Sequence, residues 1–440
     1  MFVFLGNVVH SLGPEELEIL IDHALGVNED GKVEFLKPKE QYSQGPEDSV
    51  VHLNQTQFLF PGFVDTHVHA PQYPNCGIFG DSTLLDWLQT YTFPLESQFK
   101  EDSSVSQQIY SRVVDRELQN GTTMASYYGT VDSPSTLVLA KECLKRGQKA
   151  QIGRVCMERF CPDDLVDGRI ESDIAFIDRV QSFDPAAKTV WPVITPRFAP
   201  SCDFETLSNL GKLARTRKLP VQTHLNENVN EISWVAELFP NASSYTDVYH
   251  QAALLKHDTV LAHCVHFKHP DELALIKRQN SGISHCPNSN ASIASGIAPV
   301  KHYLNEGLKV GLGTDVSGGS QISILKNARL ALLMSRLLSE RHDDQSHNLS
   351  VANALFLSSL GGAQVLDRDQ STGNFEVGKN FDAQIVDIEA RDSPIDIFEI
   401  ALPASPKERL YNFLNKWVYL GDDRNTVSVF IDGKLVHERK

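Results

Sequence analysis

From about residue 61 to 338 the chain alternates two kinds of apolar spacing. Short runs that are apolar almost throughout are separated by segments whose apolar residues recur every three or four positions. Near-continuous runs suit strands buried on both faces of a parallel sheet. The longer spacing suits helices with one buried stripe. The runs predict eight strands, at 58–70, 122–130, 149–157, 189–197, 220–227, 259–266, 282–290 and 308–316. Between them the pattern predicts helices at 104–119, ended by Asn120-Gly121, and at 135–146, ended by Gly147. Further helices are predicted at 171–183, 203–218 and 270–280, with a long apolar-striped one ending near 338. The 203–218 segment has an acidic first turn and a basic last turn, as the helix dipole favours.

Eight β–α units in roughly 250–280 residues is the size of a (β/α)8 barrel. The fold class is therefore read as α/β, with a TIM-type barrel over 61–365. An open doubly wound sheet is the alternative, but no G-x-G-x-x-G follows a strand. The ends differ in pattern. Residues 1–60 hold the strand-like pieces FVFLGNVVH, KVEFL and VVHL, and residues 366–440 hold GNFEVGKNFDAQIVDIEA and VSVFIDGKLVHERK. In the last of these Asp432-Gly433 is a hairpin signal. Both ends are expected to form one small composite β-sandwich domain, 1–60 with 366–440, beside the barrel.

Composition narrows the function. The formal net charge is −16, and no basic cluster stands out, which argues against a nucleic-acid partner. No apolar run reaches the length of a membrane span. The opening MFVFLGNVVH lacks a basic start and reads as a strand rather than a signal peptide. Seven cysteines with no CxxC pair point to reduced thiols and a cytoplasmic setting.

The chemistry sits at the strand ends. A barrel carries its function at the C-terminal ends of its strands. The first strand ends in His67 and His69, which alternate onto one face. With 16 histidines in 440 residues, chance alone supplies roughly half of one such H-x-H pair, so the pair by itself decides little. The fourth strand ends in Arg197, the fifth in His224 with Glu227 three residues on, and the sixth in His263. The seventh carries His285 and the eighth ends in Asp315. Equivalent positions in several units, rather than any single motif, make the signal. Three neutral imidazoles, His67, His69 and His224, suit zinc, with Asp315 as a further weak ligand. Zinc would lower the pKa of a water to roughly 7, Glu227 would carry its proton, and His263 would hold the nucleophile or polarise the attacked centre. Plainer roles stand beside these. His263 can be a satisfied core histidine, Glu227 a solvated loop residue, Arg197 the partner of a structural carboxylate, and His285 either structural or pocket-lining. Asp65 is read as a strand-end hydrogen-bonder, and His266 and His269 as solvent-facing.

The H-x-H pair after the first strand, histidines after the fifth and sixth, and the aspartate after the eighth together resemble the amidohydrolase superfamily, over the whole chain. Binuclear members carry a bridging carboxylated lysine after the fourth strand. This chain has Thr195-Pro-Arg-Phe198 there and so resembles the mononuclear deaminase branch. DTHVHAPQY, LLDWLQTYTFPLE, TPRFAPSC, THLNEN, HCPNSN, GLGTDVSGG, GNFEVGKNFDA and YLGDDRN resemble the segments of its purine-base enzymes. The resemblance implies one Zn2+ per chain on His67, His69, His224 and Asp315. It implies Glu227, His263 and Asp315 as the catalytic groups, and Gln72, Arg197, Phe198 and Glu227 as the substrate contacts. It further implies hydrolysis of guanine to xanthine and ammonia, and a homodimer. Physical chemistry agrees with that base, because guanine's O6 and N7 are two acceptors that a guanidinium fork can match. Adenine has an amino donor in that place and would leave Arg197 badly paired. The alternatives are a deaminase of another heterocycle, a cyclic-amide hydrolase, or a non-catalytic scaffold. The cytidine-deaminase type of zinc site needs a P-C-x-x-C that is absent.

Overall fold

The structure, a computed structural model, describes residues 1–100 and 103–439. Eight strands build its centre: β1 Phe63–His69, β2 Thr122–Tyr128, β3 Lys149–Gly153, β4 Val190–Pro192, β5 Val221–Leu225, β6 Thr259–His263, β7 Gly282–His285 and β8 Lys309–Leu312. β1 to β4 form one parallel sheet and β5 to β8 another. Backbone hydrogen bonds join the two sheets at both seams. Ile194 N donates to Pro220 O (3.0 Å) and Ile194 O accepts from Gln222 N (2.9 Å), linking β4 to β5. Asp315 N donates to His67 O (2.8 Å) and His69 N to Val316 O (3.1 Å), linking β8 to β1. The eight strands thus run in ring order with all C-terminal ends on one side. This is the (β/α)8 architecture the apolar runs predict.

Helices follow the strands as expected, among them Ser103–Gln119, Ser133–Arg146, Ile170–Phe183, Phe204–Arg217, Pro270–Gln279 and Ile324–His342. Local chemistry sets their ends. Asp132 and Asp203 each accept a backbone N–H in the first turn, and Gly147 closes a helix at φ 74°.

The two ends of the chain share one eight-stranded sheet. Its order is Lys434–Glu438, Thr426–Ile431, Ala383–Asp387, Gln57–Pro61, Phe2–Gly13, Glu16–Val27, Val33–Pro38, with Ser49–His52 also paired to Phe2–Gly13. The hairpin at the C-terminal end turns on Asp432 (φ 48°) and Gly433 (φ 73°), the pair of positive φ values a two-residue turn of this kind needs. A phenylalanine cluster, with Phe4 stacked on Phe381 at 4.9 Å, fills the interior of this sheet.

The structure departs from the sequence pattern in three places. The predicted strand 58–70 is two strands in two sheets, because the chain crosses over at Gly62. A Cβ there would lie 2.1 Å from Thr123 Oγ1, so only glycine passes. The predicted strands 149–157 and 189–197 are each broken, into Lys149–Gly153 with Val155–Cys156 and Val190–Pro192 with Thr195–Pro196. The two short outer pieces pair with each other. A helix the reading did not include, Pro406–Leu420, lays Trp417 against Phe63 (5.7 Å, stacked) and edge-on to Phe58 and Phe60. That one indole seals the junction between the barrel and the terminal sheet.

Candidate active site

The strand ends bring His67, His69, His224, His263 and Asp315 together at one mouth of the ring. β1 reaches this point through an irregularity: its pairing with β2 jumps from Asp65–Ala125 to Val68–Tyr127, which places an extra residue on β1 at Thr66–His67. Such a bulge re-aims side chains. The His67 and His69 rings lie 4.9 Å apart, centre to centre. Asp315, at φ 47°, follows β8 and turns its carboxylate to them.

The separations between donor atoms test whether a metal ion fits. In a tetrahedral zinc site, bonds of 2.0–2.1 Å place ligand atoms roughly 3.3 Å apart. Here His69 Nε2 and His224 Nε2 are 3.2 Å apart, His67 Nε2 and Asp315 Oδ1 3.1 Å, and His69 Nε2 and Asp315 Oδ1 3.4 Å. Both nitrogens of His67 and Nδ1 of His69 are buried without hydrogen-bond partners. Buried polar atoms are rarely left so, and a shared cation satisfies the converging ones. Burial pushes the His67, His69 and His224 pKa values down, those of His69 and His224 well down, so all three stay neutral with lone pairs to offer. Burial alone would raise the Asp315 carboxyl, but the electrostatic attraction of the imidazoles around it, His67 foremost, holds it far below the usual carboxylate range. The donor set fits a metal ion.

His263 also approaches, within the same 4.8 Å group of His67, His224 and Asp315. Its Nε2 is more remote, 3.7 Å from Asp315 Oδ2 and 3.5 Å from Glu227 Oε2. Its Nδ1 hydrogen-bonds to Asn290 Oδ1 (2.9 Å), which as an acceptor puts the proton on Nδ1 and leaves Nε2 as a lone pair. Asn290 belongs to the HCPNSN segment and was not singled out from sequence.

Glu227 follows β5. Its backbone N–H, and that of Asn228, donate to Glu231, which caps the next helix. Its side chain is buried, with Ser295 Oγ donating to Oε1 at 3.1 Å. Burial first, and then the Asp315 charge, raise the Glu227 pKa well above the ordinary value. His224 is oriented by its own neighbour strand: its Nδ1 lies 2.6 Å from the Arg197 carbonyl.

A cavity opens beside this cluster, lined by His69, His224, Glu227, His263 and Asp315 together with Gln72, Arg197 and Phe198. All the residues read from sequence as metal ligands, proton carriers or base contacts therefore meet at one place. Arg197 is also paired with a carboxylate, the plainer alternative, since its two terminal nitrogens grip Glu96 at 2.7 and 3.1 Å. One side chain thus both lines the cavity and pairs with Glu96. Glu96 and the wall residues Leu84, Trp87 and Leu88 were missed; they come from LLDWLQTYTFPLE, which folds as the helical turns Leu84–Trp87 and Phe93–Ser97 joined by Leu88–Thr92.

The remaining histidines and Asp65 fall as follows. Asp65 accepts from His67 N (3.1 Å), Thr314 N (3.0 Å) and Thr314 Oγ1, tying β1 to the residues after β8. Burial pushes its carboxyl up to about 6, against the pull of those hydrogen bonds. His285 is buried beside the site with Nδ1 unpartnered and does not line the cavity. His269 is exposed as expected, but His266 is half-buried, its Nε2 2.6 Å from Ser295 O. The expectation that His266 faces solvent is corrected: it holds the backbone of the serine that serves Glu227.

Comparison with known proteins places this geometry. The amidohydrolase family model matches residues 58–436. A probable guanine deaminase of Schizosaccharomyces pombe is 44% identical over 99% of this chain and 83% of its own. The guanine deaminase of Homo sapiens is 38% identical over 99% of this chain and 96% of its own. The crystal structure of guanine deaminase from C. acetobutylicum, with guanine bound in its active site, superposes with a TM-score of 0.89 at 32% identity, covering 99% of both chains.

Proposed function

Because the chain belongs to the amidohydrolase family, we propose that it hydrolyses guanine to xanthine and ammonia. The observation that carries this reading is the composition of one cavity. A converging histidine–aspartate cluster and a buried glutamate line it together with a guanidinium, an amide and a phenyl ring. The similarity to a guanine deaminase and a probable guanine deaminase over 99% of this chain supports it.

One Zn2+ per chain would sit on His67, His69, His224 and Asp315, whose spacing suits it. When bound, zinc supplies the positive charge that acidifies a water to a pKa of about 7. The chain's own groups do the rest. Glu227 takes the proton of the attacking water and returns it to the departing amino nitrogen, a task its raised proton affinity suits. The water oxygen bonds to C2, the C2–N bond breaks, and ammonia leaves. His263, its Nδ1 held by Asn290, offers a lone pair at Nε2 toward the same place. Arg197 keeps N–H donors beyond those given to Glu96, and these meet O6 and N7. Phe198 stacks on the base and Gln72 contacts its ring edge. Arg197 thereby selects guanine over adenine, whose amino group would face it donor to donor.

Further readings rest on the same footing. All seven cysteines are free, which supports a reducing, cytoplasmic setting; among the described residues no helix is long and apolar enough to cross a membrane. Residues 1–60 with 366–440 are read as the composite unit and 61–365 as the catalytic one, and the family resemblance implies a homodimer.

Guanine, adenine, cytosine and a hydantoin assayed side by side, with metal analysis of the same sample, test the reading. Turnover of guanine alone, with one zinc per chain, is expected. Turnover of adenine in place of guanine would overturn the specificity argument.

A further inference from the structure

Glu96 is completely buried, yet it lies 24 residues from one of its partners and 101 from the other. Its Oε1 accepts from Gln72 Nε2 (2.9 Å) and from one terminal nitrogen of Arg197 (3.1 Å), and its Oε2 accepts from the other (2.7 Å). The two side chains that line the base-facing wall of the cavity are therefore held by one carboxylate. We propose that Glu96 is the specificity-determining positioning residue of this site, which sets the donor and acceptor polarity of the wall that reads the base. The proposal rests on guanine being the substrate.

The argument is one of hydrogen-bond sense. A carboxylate only accepts. It forces Gln72 to turn its amide nitrogen toward Glu96, which leaves Gln72 Oε1 on the other side, where Ser317 N lies at 3.4 Å. A side-chain amide can otherwise flip at little expense, exchanging donor for acceptor. Glu96 removes that freedom. The same carboxylate fixes the plane of the Arg197 guanidinium, because a fork bound through both terminal nitrogens cannot rotate. The Phe93 ring lies 5.5 Å from the guanidinium carbon, a further restraint from the same segment. The wall then holds the Arg197 donors and the Gln72 amide in one arrangement. The segment that delivers Glu96 also supplies Leu84, Trp87 and Leu88 to the cavity, so one stretch of chain both walls the base and orients the groups that read it.

Steady-state kinetics of the zinc-loaded full-length protein test this with Glu96→Gln and Glu96→Asp. Gln keeps the shape and removes the charge. In either orientation its amide nitrogen must face an Arg197 nitrogen, donor against donor, and in one of them it faces Gln72 Nε2 as well. The expected result for Glu96→Gln is a KM for guanine raised about 30-fold or more, with kcat changed far less, and a smaller preference for guanine over adenine. Zinc content should stay at the parent value. Glu96→Asp keeps an acceptor-only group and should retain most of the preference, even where its shorter reach raises KM. An unchanged KM and an unchanged guanine-to-adenine ratio in Glu96→Gln would overturn the proposal. So would equal loss in both variants accompanied by a lowered Tm, since that is the mark of a residue that only holds the fold. A parent protein that turns over no guanine at all would instead overturn the proposed function, and the parent assay reports that separately.

Discussion

Glu227 is the residue whose chemistry can be isolated most cleanly. Its carboxyl is buried, accepts from Ser295, and stands 3.5 Å from His263 Nε2 without belonging to the closest donor set. Changing Glu227→Gln keeps the volume and the Ser295 hydrogen bond but cannot exchange a proton. The expected outcome is a kcat lowered by about 10²- to 10⁴-fold, with metal content and guanine affinity near those of the parent. Rapid-mixing or steady-state assay beside metal analysis and equilibrium binding measures all three. A kcat that barely moves would place the proton carrier elsewhere.

At the scale of the strand, the metal-facing residues depend on how β1 and β8 are joined. Asp65 accepts from His67 N and from both donors of Thr314, so it sets the ends from which His67 and Asp315 depart. Asp65→Ala leaves those donors buried without an acceptor. It should lower stability by about 2–4 kcal/mol and weaken zinc retention by about 10- to 100-fold. Chelator competition on the purified variant reads the second effect, and retention equal to the parent's would show that the strand ends hold themselves. The same scale explains what could be read from sequence. His67 and His69 were legible because alternation on a strand is a local rule, and His224, His263 and Asp315 because the β–α period repeats it. Glu96 was not, since its meaning lies in Arg197, 101 residues away, and its segment has the spacing of neither a long helix nor a strand. Gly62 was hidden inside an unbroken apolar run, where only the contact with Thr123 marks the crossing. The Pro406–Leu420 helix carried a readable stripe, but the β-rich signals around it drew the reading away.

For the whole molecule, the question is what fastens the terminal sheet to the barrel. Trp417 does so on one side. Beside β3 the link is ionic: Lys149, the first residue of that strand, gives its ammonium to both oxygens of Asp382 (2.9 and 2.8 Å) and to Asp432 (2.6 Å). Asp382 stands at the entry to the strand Ala383–Asp387, and Asp432 on the hairpin turn, so one barrel lysine holds two points of the sheet. Burial alone would lower the Lys149 pKa, but the charges and hydrogen bonds of Asp382 and Asp432 outweigh it and raise it above the ordinary lysine value. A cation whose pKa is raised on folding contributes its full stability below the unfolded value, about 10.4, and loses it as pH climbs through the folded value. Lys149→Met leaves Asp382, nearly inaccessible to solvent, without its cation. The variant should be less stable by about 3–5 kcal/mol at pH 7. Denaturant unfolding of parent and variant from pH 7 to 11 should show that gap begin to narrow above roughly pH 10.4, because the unfolded chain then sheds the lysine proton that the folded parent still holds. A gap that stays constant across that range would mean that the packing of the Lys149 stem, and not its charge, fastens the sheet.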